Sequence, residues 1–282
     1  MIMNKTFDLH RFGMVLRWDL LTNKKRYLFG LLGLILGFTG CFIGCLYSSR
    51  GWANAIAHGV SEPDIPSWND FYLNQTYNVF WIFLDIVMVV MAAKVFHNMK
   101  HKLSRESFLM LPATNLEKFI ARLLTMSVGA FIMVLVALVG ADMIQFLFSF
   151  VITPAFHISI TWPILNNWVT AFIGNINIET ICAILFIHSF CTLGGSFYRK
   201  QPAVLTLVTG CILAFIFGYT ITELHELGIF PLDRHMNANE IQTTICETLG
   251  ITFSLALAAF NYWASYKLFT RMQVICNKWI NI

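Results

Sequence analysis

Arg105-Glu-Ser-Phe-Leu-Met-Leu-Pro112-Ala-Thr-Asn-Leu-Glu117-Lys-Phe119 lies between two apolar runs, 77–96 and 119–148, each long enough to cross a membrane. Residues 104–111 can form a short helix, Pro112 disfavours helix at the residue before it, and Thr114-x-x-Glu117 offers a capping box that starts the next helix. A short helix, a break and a new helix directly after a membrane crossing have the shape of an element that takes force from a cytoplasmic partner.

Four further apolar runs, 28–47, 178–198, 203–221 and 250–268, are long enough to cross a hydrocarbon core of about 30 Å. The chain is 57% hydrophobic and only 12% charged, against about a quarter charged in ordinary soluble domains. These observations predict an all-α membrane protein with six transmembrane helices, folded as a single domain over 1–282 with the loop 97–118 projecting from it. Six crossings place both termini on one side. All of the 19 basic residues except Arg50 and Arg234 then fall on that side, which the positive-inside rule assigns to the cytoplasm together with the loop. The net charge of +4 does not point to nucleic acid, because the cations sit at span ends rather than in a patch interleaved with exposed aromatics.

Before the first span, 7–21 mixes apolar residues with Asp8, Arg11, Arg17 and Asp19. It reads either as an interfacial helix along the cytoplasmic leaflet or as a helix packed on the bundle. Ala53-Asn-Ala55 superficially matches a signal-peptidase site, but the charged leader and the long apolar run predict a retained anchor. The seven cysteines follow no C-x-x-C or Cys/His metal spacing and read as buried or interfacial thiols without a disulfide framework.

Gly30, Gly33, Gly37, Gly40 and Gly44 step by three and four along the first span and share one stripe. Small residues let helices approach closely, so this reads as a packing seam, within the bundle or between two copies. Ionisable residues inside a membrane are costly and carry functional suspicion. Asp85 and His188 fall near the middle of the second and fourth spans and are candidates for a translocation pathway; Asp142 and Glu179 lie toward outer ends. The alternative for each is a hydrogen bond to a neighbouring helix or to interfacial water.

The segment before the last span contains Glu223, His225, Glu226, Asp233, His235 and Glu240. Ile229 occupies the place where a second histidine would share the helix face of His225, which favours a solvated polar loop over a metal site. Asn239-Glu-Ile-Gln242 can cap a helix entering the last span, on the surface or dipping back into the membrane. There is no phosphate-binding G-x-x-x-x-G-K-[ST], no H-E-x-x-H and no G-x-S-x-G, so no catalytic function is expected of this chain.

The loop 94–122 resembles that of the ABC-2-type permeases, the membrane subunits of one class of ABC exporter. In that family the loop after the second span carries an acidic residue, a Leu-rich turn, a proline, then an acidic and a basic residue opening the third span. Glu106, Phe108, Leu109, Pro112, Glu117 and Arg122 occupy those places, whereas Leu103-Ser104 departs from the Gly-Thr found in many members. The N-terminal segment, the six-span layout with inward termini and the longer outer segment before the last span fit as well. The wording of 108–119 also looks like a group of bacterial permease-like proteins, which implies the bacterial cytoplasmic membrane.

The resemblance implies that a separate cytoplasmic ABC ATPase binds the short coupling helix. Phe108, Leu109 and Met110 would be apolar anchors, with Arg105, Glu106, Glu117 and Lys118 setting charge complementarity. It also implies a second permease subunit, a copy or a paralogue, to frame a pathway through the bilayer, and no cofactor in this chain. Read from the residues alone, the same loop can fold against its own bundle. The function then lies among the permease subunit of an ATP-driven exporter, a membrane-anchored structural or sensory protein that binds a cytoplasmic partner, and an ion-coupled carrier working through Asp85. No residue selects among lipids, hydrophobic drugs, peptides and polysaccharides as cargo.

Overall fold

The computed structural model describes residues 7–57, 68–100, 102–153, 157–174, 177–226 and 240–271. Among these residues it forms nine α-helices, one short 3-10 turn (His97–Lys100) and no strand. The helices are α1 (Leu9–Thr22), α2 (Lys24–Ala57), α3 (Trp68–Ala93), α4 (Lys102–Leu109), α5 (Asn115–Ile152), α6 (Thr161–Gly174), α7 (Ile178–Phe197), α8 (Pro202–Glu226) and α9 (Glu240–Arg271). Helix is what apolar runs require in lipid, where each backbone N–H and C=O must find its partner within the segment.

Five helices, α2, α3, α5, α7 and α8, are long and apolar enough to cross a membrane, which marks an integral, multi-pass membrane protein. The sixth expected run lies in α9, whose 32 residues suffice in length but whose second half carries Asn261, Tyr262, Ser265, Tyr266 and Lys267. Several of these polar groups face α7, as described below. Both α2, of 34 residues, and α5, of 38, extend beyond their apolar runs. At 1.5 Å per residue each exceeds 50 Å, more than the roughly 30 Å hydrocarbon core, so their ends project past it. One helix was not expected at all: α6 has 14 residues, too few to span, and its residues read only as a segment between spans.

The chain divides into two compact units, Met1–Val15 with Val89–Met126 and Asn177–Ile282, and Leu16–Met88 with Ser127–Ile176. In the second unit the core repeats at helical spacing: Phe38, Phe42 and Leu46 on α2, Tyr72, Phe80 and Leu84 on α3, Val134, Ala137, Leu138 and Ala141 on α5, and Ile160 and Ile164 beside and on α6. Phe38 stacks on Phe83 with ring centroids 4.4 Å apart, and Trp168 of α6 lies against Phe131 at 5.6 Å.

A buried carboxylate fastens the start of α6 to α5. Asp142 Oδ1 accepts the N–H of Ile160 at 3.0 Å, while Oδ2 accepts the N–H of Thr161 at 3.1 Å and the hydroxyls of Ser159 and Thr161 at 2.6 and 2.7 Å. Two of the first N–H groups of a helix, which have no partner within it, are thereby satisfied from a neighbouring helix. Asp142 is thus one of the intramembrane acids whose partner is structural.

In the first unit α7 packs on α9 along a polar ladder. Nδ1 of His188 lies 2.7 Å from the Tyr262 hydroxyl, Asn261 Nδ2 donates to Ser189 Oγ at 3.2 Å, and the hydroxyls of Ser196 and Ser265 are hydrogen-bonded. Ser189 and Ser196 are seven residues apart on α7, two helical turns, and Asn261 and Ser265 four apart on α9, which keeps these pairs on facing sides. Beside the ladder, Gly194-Gly195 let α8 and the end of α3 approach α7 closely. A Cβ on Gly195 would stand 2.5 Å from the carbonyl oxygen of Ala93, and one on Gly194 would overlap the side chain of Thr206.

Candidate docking segment

The segment joining α3 to α5 belongs wholly to the first unit, and three charged side chains at the start of α5 hold its parts in place. The expected capping box forms in both directions: Thr114 N–H donates to Glu117 Oε2 at 2.8 Å, and Glu117 N–H to Thr114 Oγ1 at 3.3 Å. The other oxygen of Glu117 accepts the backbone N–H of Asp8 at 2.9 Å and Nη2 of Arg11 at 3.0 Å. The capping residue therefore also clamps the N-terminal helix, and its carboxylate is fully withdrawn from solvent.

Lys118 extends toward α4 and donates from Nζ to the Leu109 carbonyl at 2.6 Å. A cation at a helix C-terminus meets both unpaired carbonyls and the negative end of the helix dipole. Arg122 Nε donates to the Val95 carbonyl just after α3 at 3.1 Å, and its guanidinium carbon lies 5.9 Å from the centre of the Phe108 ring. Glu117, Lys118 and Arg122 thus tie one helix to the N-terminal segment, the end of α4 and the end of α3 respectively.

An aromatic cluster fills the space beneath α4. Phe269 of α9 contacts Phe96, Phe108 and Phe119 at centroid distances of 5.0, 6.4 and 5.9 Å, and Phe119 meets Tyr266 edge-on at 5.5 Å. The eight residues expected to couple to a partner therefore differ in exposure. Arg105, Phe108, Glu117 and Lys118 are buried; Glu106 and Leu109 are partly buried, while Pro112 is exposed. Met110 is 81% exposed.

This sorting changes the expected anchors, because Phe108 is a core residue of its own unit and only Met110 of the apolar three projects fully. Leu103, met in the sequence only as a departure from the Gly-Thr pattern, is 80% exposed. Leu103, Ser104, Ser107 and Met110 make one exposed stripe along α4 at spacings of three and four. That spacing was present in the sequence. The contribution of Phe269 was not, because 161 residues separate it from Phe108.

Of the glycine stripe on α2, Gly37 alone makes a tight approach, since a Cβ there would lie 3.1 Å from the Phe83 ring. Gly30 comes near Met133 at 3.8 Å, while Gly33, Gly40 and Gly44 have nothing within 4 Å of that position. Among the described residues, then, only Gly30 and Gly37 of the five have a neighbouring side chain within 4 Å of that position. Asp85 is exposed on α3 beside Ile82 and Ile86, which are 55% and 57% exposed. Asp85 belongs to the second unit and His188, bonded to Tyr262, to the first.

Cys182 and Cys191 are buried free thiols, Cys45 is partly covered, and Cys41 and Cys211 are exposed on their helices; the side chains of Cys246 and Cys276 lie outside the described residues. Of the acidic and histidine residues before α9, only the side chain of Glu223 is described, and the expected cap at Asn239 also falls outside. Among the described residues no group of three or more His, Cys, Asp or Glu side chains is placed to hold a metal.

The fold and this segment define an all-α, multi-pass membrane protein with a short helix held at the junction of two long apolar helices. Comparison of the chain with protein-family models, with curated proteins and with solved structures finds no match.

Proposed function

We propose that this chain is the membrane-spanning permease subunit of an ATP-driven exporter, and that α4 receives force from a separate cytoplasmic ATPase. The observation that carries this reading is the division of α4 into a fixed base and a projecting stripe. Arg105 and Phe108 are buried beneath it, while Leu103 and Met110 are 80% and 81% exposed. A helix that transmits displacement needs a base that does not yield, because a partner can shift a two-state bundle only through contacts that differ between the states. Lys118 at Leu109 and Arg122 at Val95 supply that base, and exposed Leu and Met side chains supply adaptable apolar contact.

On this reading α9 is the sixth crossing, its polar side chains satisfied by α7, and both ends of the chain face the cytoplasm of a bacterial cell. Two permease subunits frame the pathway. The test is gentle extraction of tagged protein followed by identification of co-purifying chains. An ATPase carrying its own phosphate loop is expected, and Leu103→Asp with Met110→Asp releases it while the protein stays folded in the membrane. Retention of the ATPase by that double variant removes α4 as the docking element. The lack of any ATPase with the wild-type chain, in cells that express its partner genes at native level, favours a structural or sensory membrane protein instead.

A further inference from the structure

The junction of α1 and α2 is a single helical path in which only Asn23 stands between the two helices. The ladder continues through it, with Asn23 N–H donating to the Asp19 carbonyl and Tyr27 N–H to that of Asn23, both at 3.1 Å. Side chains three and four apart therefore stay on one face across the junction. That face presents Arg17, then Leu20 and Leu21, then Lys24 and Lys25, then Leu28 and Phe29, while Arg26 is exposed on the side of Asp19. The apolar members are 44%, 57%, 58% and 70% exposed in that order.

The charge of this face is unbalanced by construction. Asp19 is the sole carboxylate between residues 9 and 61, and it is turned inward at 1% exposure. Its Oδ1 accepts Asn23 Nδ2 at 2.8 Å and its Oδ2 accepts the Tyr27 hydroxyl at 3.3 Å. The one acid of this stretch thus lies on a side of the helical path turned away from Lys24 and Lys25.

We infer that the exposed face from Arg17 to Phe29 is a binding site for anionic phospholipid headgroups. The two lysines lie between apolar pairs, so a partner must supply negative charge and hydrocarbon side by side. An acidic soluble protein supplies the first and leaves Leu28 and Phe29 uncovered; a zwitterionic lipid supplies the second with little net charge. A lysine stem is long enough to lie along such apolar pairs and bring the ammonium groups of Lys24 and Lys25 to phosphate depth, with Arg17 adding a forked donor. Basic clusters at the end of an apolar helix are attracted to anionic lipid by roughly fivefold in affinity per cation. This inference does not depend on the transport reading.

Lysine footprinting of the full chain tests it without altering the protein. The purified chain is placed in phosphatidylglycerol vesicles or in phosphatidylcholine vesicles and acylated briefly, and each lysine is read by mass spectrometry. Lys24 and Lys25 are expected to react roughly fivefold more slowly in the anionic vesicles, while Lys94, exposed at the end of α3, changes far less. In Arg17→Gln, which keeps both reporter lysines, the protection shrinks. Equal slowing at Lys94, no slowing at Lys24 and Lys25, or undiminished protection in the arginine variant overturns the site.

Discussion

The guanidinium of Arg11 stands 3.0 Å from Glu117 Oε1, on the same oxygen that accepts the backbone N–H of Asp8. One buried carboxylate therefore closes the capping box of α5 and holds the N-terminal helix. Removing it takes away an acceptor shared by two backbone N–H groups and one guanidinium N–H. Glu117→Ala is expected to cost about 3–5 kcal/mol, the range for breaking a buried charge pair from one side. Arg11→Ala leaves the carboxylate with its backbone donors and costs about 1.5–3 kcal/mol. Thermal unfolding of the detergent-solubilised chain ranks the two, and equal losses would mean that the carboxylate does not hold more than its arginine.

The glycines divide by what surrounds them rather than by their spacing. Gly195 has the carbonyl oxygen of Ala93 2.5 Å from where a Cβ would sit, and backbone cannot withdraw as a flexible side chain can. Gly195→Ala should cost at least the roughly 1–3 kcal/mol typical of overpacking. At Gly40 nothing lies within 4 Å, so Gly40→Ala gains helix propensity of up to about 1 kcal/mol. Gly37→Ala falls between them, because the Phe83 ring at 3.1 Å must give way. Melting temperatures in the reverse order would show that the backbone at Ala93 yields to a methyl group on Gly195.

The long apolar runs made five membrane helices legible in the sequence, because length and hydropathy act within one segment. The capping box was legible for the same reason: Thr114 and Glu117 are three residues apart and need nothing else to find each other. The inward turn of Phe108 was not, since its place is set by Phe269 and Arg122 from other helices. Nor could spacing separate Gly37 from Gly40, both on one stripe of α2, because the difference lies in which helix stands opposite. In α9 the polar residues weaken the apolar signal of its run, and it takes Ser189, Ser196 and His188 on α7 to show where those groups find partners.

Helix α6 extends this contrast to a testable point. Its first N–H groups depend on Asp142, a residue 19 positions before Thr161. Asp142→Ala removes the acceptor of two backbone N–H groups and two hydroxyls, and each buried donor left unmade costs about 1–3 kcal/mol. Hydrogen exchange should accelerate at residues 160–165 while the amides of α5 around Val134 and Leu138 change little. Asp142→Asn keeps one oxygen as an acceptor and should fall between the variant and the wild type. Exchange that rises uniformly over the second unit would assign Asp142 to the whole core and not to the start of α6.

Phe108 and Met110 are two residues apart and face opposite ways, so they separate stability from partner binding. Phe108 is 4% exposed, beneath Arg122 and against Phe269; truncating such a ring costs about 3–5 kcal/mol. Met110 is 81% exposed, and its truncation in the isolated chain should stay within about 0.5 kcal/mol. Partner affinity follows the other order if α4 docks through its stripe. Met110→Ala then weakens ATPase retention with the melting temperature unchanged, whereas Phe108→Leu lowers the melting temperature and preserves retention wherever the chain remains folded. The pair of measurements on both variants is needed because loss of binding in a destabilised chain says nothing of contact. Retention that survives Met110→Ala and Leu103→Ala together, in chains as stable as the wild type, would move the docking surface off α4 altogether.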